Sequence, residues 1–215
     1  MPAATLPKQF ESFLGWQPRP EPELLPSGVA QIDLPRGCLT EIVGPASSGR
    51  TSLMLSILAQ ATAREEVCAV VDAEDAFSPH AAAAAGVELS RLLWVRCGHN
   101  AEHALKVTDL LIQGGGFGVV AMDLGDTSQR EARRISMASW FRLRRAVEHT
   151  PTVLISLSRQ ANAKTCASLV LECGRTRANW SGAHGVSGLL RGIEVRARST
   201  QRRIECSPVY TAKAI

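Results

Sequence analysis

The segment Gly44-Pro45-Ala46-Ser47-Ser48-Gly49-Arg50-Thr51 constrains this chain more than any other stretch of it. It follows the apolar run Leu39–Val43, and it precedes Leu53, Met54, Ile57, Leu58 and Ala61, which recur at helical spacing. A strand, a loop bracketed by glycines and a helix form the unit that turns successive backbone N–H groups inward around a phosphate, with the helix N-terminus behind them. A chain that opens on this unit needs further strands beside it and helices over both faces.

The remainder supplies them. Apolar strands without alternation are expected at Cys38–Val43, Val67–Asp72, Leu92–Val95, Val119–Asp123 and Val153–Leu157, and helices at about 50–64, 79–85, 100–113 and 128–149. Strands of this kind are covered on both faces, as in a largely parallel sheet of βαβ units. The last helix, through Ala132, Ile135, Ser139, Leu143 and Ala146, reads as one continuous element. Within it, Trp140 and Phe141 read as core packing before base stacking. After residue 165, Ser168–Cys173, Ile193–Ala197 and Arg203–Cys206 read as antiparallel strands extending the sheet.

The five prolines between Pro7 and Pro26 exclude a long helix and give residues 1–27 the character of an extended arm. Phe10, Phe13 and Leu14 allow a short amphipathic turn there, docking on the core or on a second subunit. Residues 28–215 then form one core domain.

Composition narrows the function class. With 45% hydrophobic and 20% charged residues the chain can bury a core along most of its length. No apolar run approaches the roughly 20 residues that span a bilayer, and the N-terminus lacks a secretory pattern, so the expectation is a cytoplasmic protein without membrane contact. The six cysteines are scattered and form no CxxC pair, which reads as buried thiols and no metal cluster. Net charge is only +4, but residues 1–129 hold 8 Lys/Arg against 15 Asp/Glu and residues 130–215 hold 16 against 5. Such asymmetry fits a basic face for a polyanion or an acidic protein surface, or simply a solvated arginine-rich face.

Arg50 stands where the loop motif calls for lysine. Lysine is a compact charge on a flexible stem that reaches the β- and γ-phosphates, whereas arginine is a bulkier planar fork. Arg50 therefore either reaches phosphate awkwardly or fills the site and pairs with a nearby carboxylate. Thr51 is placed to coordinate Mg²⁺, and Asp123, at the end of its apolar strand, is placed to meet the ion through water. Glu74 lies just beyond the strand ending at Asp72, on the sheet edge where α/β proteins bind ligands, with general base chemistry within its means. The cofactors implied are ATP and Mg²⁺, held by Gly44, Pro45, Ala46, Ser47, Ser48, Gly49, Arg50, Thr51, Ser52 and Asp123.

Together these residues resemble the RecA recombinase core. GPASSGRTS is similar to that family's GPESSGKTT, and VVDAEDAFSPHAAAAAGVELSRLLWVRC resembles the segment holding its catalytic glutamate, which puts Glu74 in that place. AEHALKVTDLLIQGGGFGVVAMD resembles the next helix and the Walker B strand, with Asp123 as its carboxylate. The resemblance implies an α/β RecA-like P-loop core, a mainly parallel twisted sheet flanked by helices. It covers 28–123 well and 150–206 loosely. Where that family ends a strand in Asn-Gln, this chain reads Leu157-Ser158-Arg159-Gln160, so Gln160 is at best a shifted substitute. Ala161–Thr165 is too short to replace the long DNA loop, and the helix over 128–149 replaces the other one.

A RecA-like core lacking those loops and the family's C-terminal domain resembles the ImuA accessory proteins of bacterial SOS mutagenesis. That resemblance implies an ImuB-like polymerase-family partner in error-prone translesion synthesis. Three functions follow as expectations. The chain is a binding module for a lesion-bypass polymerase or RecA, with weak or absent ATP turnover, or it is a DNA-dependent ATPase, a small RecA paralogue. Compatible with either is a DNA- or partner-binding basic face of Arg130, Arg133, Arg134, Arg142, Arg144, Arg145, Arg196, Arg198, Arg202 and Arg203. Self-association through the Phe10/Phe13 arm is a further expectation.

Overall fold

The computed structural model describes residues 22–181, 189–199 and 209–213. Its strands are β1 (Leu24–Pro26), β2 (Asp33–Pro35), β3 (Cys38–Val43), β4 (Cys68–Asp72), β5 (Leu92–Arg96), β6 (Val119–Asp123), β7 (Val153–Ser158), β8 (Leu169–Ser181), β9 (Leu189–Ser199) and β10 (Val209–Lys213). The helices are α1 (Arg50–Thr62), α2 (Pro79–Ala84), α3 (Ala101–Gly114), α4 (Gln129–Ala132) and α5 (Met137–Val147), with 3₁₀ turns at Leu89–Arg91 and Lys164–Cys166.

Eight strands form one sheet in the order β10-β9-β8-β3-β7-β6-β4-β5. Every pairing from β8 to β5 is parallel, while β8–β9 and β9–β10 are antiparallel. The expected α/β architecture is therefore present, with the antiparallel extension on the C-terminal side. Strands β4 and β7 are buried at every position, as the absence of alternation in their sequences required. One face packs Leu53, Met54, Ile57 and Leu58 of α1 against Ile42, Val70, Ala121 and Ile155. The opposite face packs Ala104 and Ile112 of α3 and Trp140 and Leu143 of α5 against Leu39, Val71, Met122 and Leu154.

Three expectations change. The helix foreseen over 128–149 is two helices: α4 ends after one turn at Ala132, and α5 starts afresh behind Ser136, whose hydroxyl accepts from Ser139 N–H. Ser128 caps α4 in the same way, so each piece has its own N-terminal signal. Strands β8 and β9 run well past the limits read from Ser168–Cys173 and Ile193–Ala197, because each satisfies the other's backbone rather than a buried core. Leu24–Pro26, counted with the arm, pair antiparallel with Asp33–Pro35, and Leu25 is fully buried beneath α1. Phe10, Phe13, Leu14 and Arg203–Cys206 lie outside the described residues. None of the described helices is long and apolar enough to cross a membrane.

Parallel pairing brings the C-terminal ends of β3, β7, β6 and β4 to one edge. Val43 lies beside Ser158, Leu157 beside Asp123, and Asp123 beside Asp72. Chemistry in open α/β sheets collects at that edge, where connections to helices on opposite faces diverge.

Candidate functional site

Helix α1 begins without a side-chain cap, behind Gly49 at φ 87°. That backbone suits glycine, and the site also forbids a side chain, since a Cβ on Gly49 would run into the Val195 side chain on β9. The Gly49 carbonyl accepts a 3.0 Å bond from the Tyr210 hydroxyl on β10. The phosphate loop is thus backed by the two C-terminal strands. Its outward side, Pro45, Ala46 and Ser47, is exposed, as is Thr51, while Ser48 is buried and its Oγ has no partner.

Arg50 borders this cradle, but its guanidinium is spent on the loops after β3 and β6. Its guanidinium is buried, Nη1 donates to the Gly44 carbonyl, and Nη2 donates to the Gly125 carbonyl at 2.7 Å and to Asp126 Oδ1 at 3.3 Å. Of the two courses open to an arginine here, the geometry follows the pairing one: the guanidinium bonds two loop carbonyls and a carboxylate, and the cleft beside it stays open. A side chain at position 125 would displace this arrangement, since a Cβ there would lie 2.8 Å from Asp123 Oδ1 and 2.9 Å from Arg50 Nη2. The strap joins the loop after β3 to the loop after β6. Arg159, beyond β7, adds a second cation 3.9 Å from Asp126.

Asp123 closes β6 as expected. Its Oδ1 accepts the Gly125 N–H at 2.7 Å, and burial is the main force pushing its carboxyl up to about 6. Asp72 beside it is structural, accepting from Ala76 and Phe77 N–H groups and from Trp94 Nε1, which folds the loop that carries Glu74. Both Glu74 oxygens are engaged. Oε1 accepts from the Thr127 hydroxyl at 2.8 Å and Oε2 pairs with His99 Nδ1 at 2.9 Å. That hydrogen bond raises the His99 pKa above its ordinary value. Glu74 is thereby tied to the Asp126–Thr127 segment that also anchors Arg50.

The loop fits a phosphate: a buried hydroxyl without a partner, uncapped helix N–H groups and an exposed threonine hydroxyl are what phosphate and Mg²⁺ oxygen chemistry require. The lysine's contribution is absent, because Arg50 is committed elsewhere. Ser52 follows inside α1, half-buried on the same cleft as Ser47 and Thr51. Among the described residues no group of three or more His, Cys, Asp or Glu could hold a metal ion by itself.

The basic residues fall into two groups. Arg130, Arg133, Arg134, Arg142, Arg144 and Arg145 lie on or beside α4 and α5, over one face of the sheet. Arg196 and Arg198 lie on β9, two strands beyond β3. Three of the first group make exposed contacts within the fold: Arg133 reaches Gln160 Oε1, Arg142 pairs with Asp109 and Arg144 donates to the Thr165 carbonyl. Gln160 is therefore occupied by Arg133, and Glu41, buried in β3, accepts from Asn162 and Ala163 N–H groups to pin the short connection after β7. Arg202 and Arg203 lie outside the described residues. Trp140 is fully buried, so it packs the core, while Phe141 is exposed.

Sequence reasoning missed Gly125, Asp126, Thr127, His99 and Tyr210. Only Asp126 had a readable signal, a carboxylate three residues past Asp123 and so near the strand-end edge where Arg50 needs a partner.

Residues 24–129 match the model of the RecA N-terminal domain. The chain is 38% identical to the RecA protein of Bifidobacterium longum over 117 residues, 51% of this chain and 29% of that protein. It is 39% identical to RecA of Thermus thermophilus over 117 residues, 51% of this chain and 34% of that protein. It is 34% identical to RecA of Chlorobium chlorochromatii over 140 residues, 59% of this chain and 39% of that protein. The match thus spans between 29% and 39% of these curated relatives.

Proposed function

We propose, for a chain that is RecA-like across residues 24–129, an accessory role in the bacterial SOS DNA-damage response rather than recombination. It supports error-prone translesion synthesis by binding an ImuB-like polymerase-family protein, with RecA or DNA as additional partners and with weak or absent ATP turnover. The observation that carries the reading is the Arg50 strap. A cation bonded to Gly44, Gly125 and Asp126 cannot also follow charge developing on a γ-phosphate, so the loop keeps an anion cradle and loses the moving charge that turnover uses. The resemblance to ImuA accessory proteins read from the sequence and the short, pinned connection after β7 support the same conclusion. A cytoplasmic location belongs to this proposal.

Calorimetric titration with MgATP, then turnover with and without single-stranded DNA, tests it together with co-purification. The expected result is weak nucleotide binding, turnover near background in both conditions and retention of an ImuB-like partner. Micromolar binding with DNA-stimulated turnover abolished by Glu74→Gln would instead establish the alternative, a small RecA paralogue acting as a DNA-dependent ATPase. That alternative draws on one observation: Thr51, Asp123 and Glu74 are all kept, with Asp123 closing β6 and Glu74 two residues beyond the adjacent strand β4.

A further inference from the structure

A cleft of about 260 Å³ lies between the phosphate loop and the C-terminal strands, lined by Ser47, Ser48, Thr51, Arg175, Leu190 and Ile193 among others. Arg50 borders it but spends its guanidinium on Gly44, Gly125 and Asp126. Arg175, on β8, also borders it, and among the described residues its guanidinium makes no hydrogen bond or ion pair; its side chain is exposed. Ser48 is 1% exposed, lines the same cleft and keeps a hydroxyl with no partner. A polar group buried so deeply without a partner is costly unless a ligand completes it. The uncapped N-terminus of the 13-residue α1 points its N–H groups to the same place.

We infer that Arg175 supplies the charge that Arg50 has given up, so that the phosphates of a nucleoside polyphosphate are held between the Ser47–Thr51 backbone, the Ser48 hydroxyl and the Arg175 guanidinium. Arginine suits the task from a strand, since its fork meets two phosphate oxygens at once. Arg196 and Arg198, on a neighbouring cleft that Arg175 also borders, add positive potential that favours an anion. Leu190 and Ile193 make the outer wall apolar. A cation placed on β8 is attached to the C-terminal strands instead of to the loop. It holds an anion without being positioned by the loop after β6, a geometry suited to binding rather than transfer.

The inference rests on the reading that the loop still takes nucleotide, and calorimetry separates the two. Titrations use MgATP and, separately, inorganic tripolyphosphate, at low and at physiological salt, with the full chain. Arg175→Gln is expected to weaken both ligands at least about tenfold, with Arg175→Lys recovering part of the loss. Ser48→Ala is expected to weaken both while raising the thermal midpoint, since it removes the orphaned hydroxyl. Unchanged far-ultraviolet circular dichroism of each variant shows that the fold persists. If wild type binds and Arg175→Gln binds within about twofold of it, the Arg175 role is overturned and the nucleotide reading stands. If wild type binds neither ligand, both are overturned.

Discussion

Position 50 decides between two chemistries because the arginine fork can bond acceptors on two loops at once, whereas lysine brings a compact three-donor charge on a flexible stem. The guanidinium here has three acceptors on two loops and is buried, so replacing it leaves the Gly44 and Gly125 carbonyls and Asp126 to find other partners. Arg50→Lys is expected to lower the unfolding free energy by about 1–3 kcal/mol in urea titrations, while raising MgATP affinity in calorimetry. The Asp123 carboxyl carries a stability cost of its own. Its pKa lies at about 6 in the fold against an ordinary 3.8, so the stabilisation of the protonated form is complete below 3.8 and is lost as pH rises through about 6. Asp123→Asn, which keeps the acceptor for Gly125 N–H, should therefore be the more stable protein at neutral pH, by up to about 3 kcal/mol, and should lose any Mg²⁺ dependence of nucleotide binding. Urea unfolding of both proteins across the acidic range gives the difference directly. Thr51, Asp123 and Glu74 were legible because each sits at a fixed offset from a strand end. Gly125, Asp126 and Tyr210 were not, since Arg50 meets Gly125 across 75 positions of chain and Gly49 meets Tyr210 across 161, contacts that have no periodicity to read.

The helical elements show the same division. Spacing located α1, α3 and the helical stretch beyond β6 to within a few residues, and the core residues Leu53, Ile57, Leu58 and Leu143 are all buried. Periodicity carried straight through Arg133–Ser136, however, because a short interruption that leaves Ala132 and Leu143 both inward looks like continuity. The readable clue was Ser136, an N-cap type in mid-helix. Ser136→Ala is expected to cost about 1 kcal/mol. Trp140→Ala, which empties the largest fully buried side chain among the described residues, is expected to cost about 3–5 kcal/mol. Chemical denaturation ranks them, and equal costs would mean that α5 is held by its cap rather than by its packing. The lengths of β8 and β9 were out of reach for another reason. Their outer halves carry Arg175, Arg177, Trp180 and Arg191, a pattern that marks no core, and they persist by cross-strand pairing that includes two register shifts.

At the scale of the molecule, the charge asymmetry survives folding as separate basic regions, one on α4–α5 and one on β9 beside Arg175. If the α4–α5 arginines meet nucleic acid, binding should weaken steeply with salt, and a double substitution of Arg130 and Arg134, which leaves the Arg133, Arg142 and Arg144 contacts in place, should lower the slope of log affinity against log salt by about 2. Fluorescence anisotropy with labelled single-stranded DNA measures it, and no binding at low salt removes DNA from the partners. The sheet order was legible only in outline, because alternating strands and helices announce a parallel sheet but not which strand lies beside β3. The phosphate loop leans on β9 and β10 through Val195 and the Tyr210 hydroxyl. A protein that grips those strands in a way that shifts Gly49 changes the affinity of the loop for its anion, and thermodynamic reciprocity then requires the anion to change the grip by the same factor. On the proposed reading, a site without turnover keeps, through those two contacts, the means to report whether it is filled.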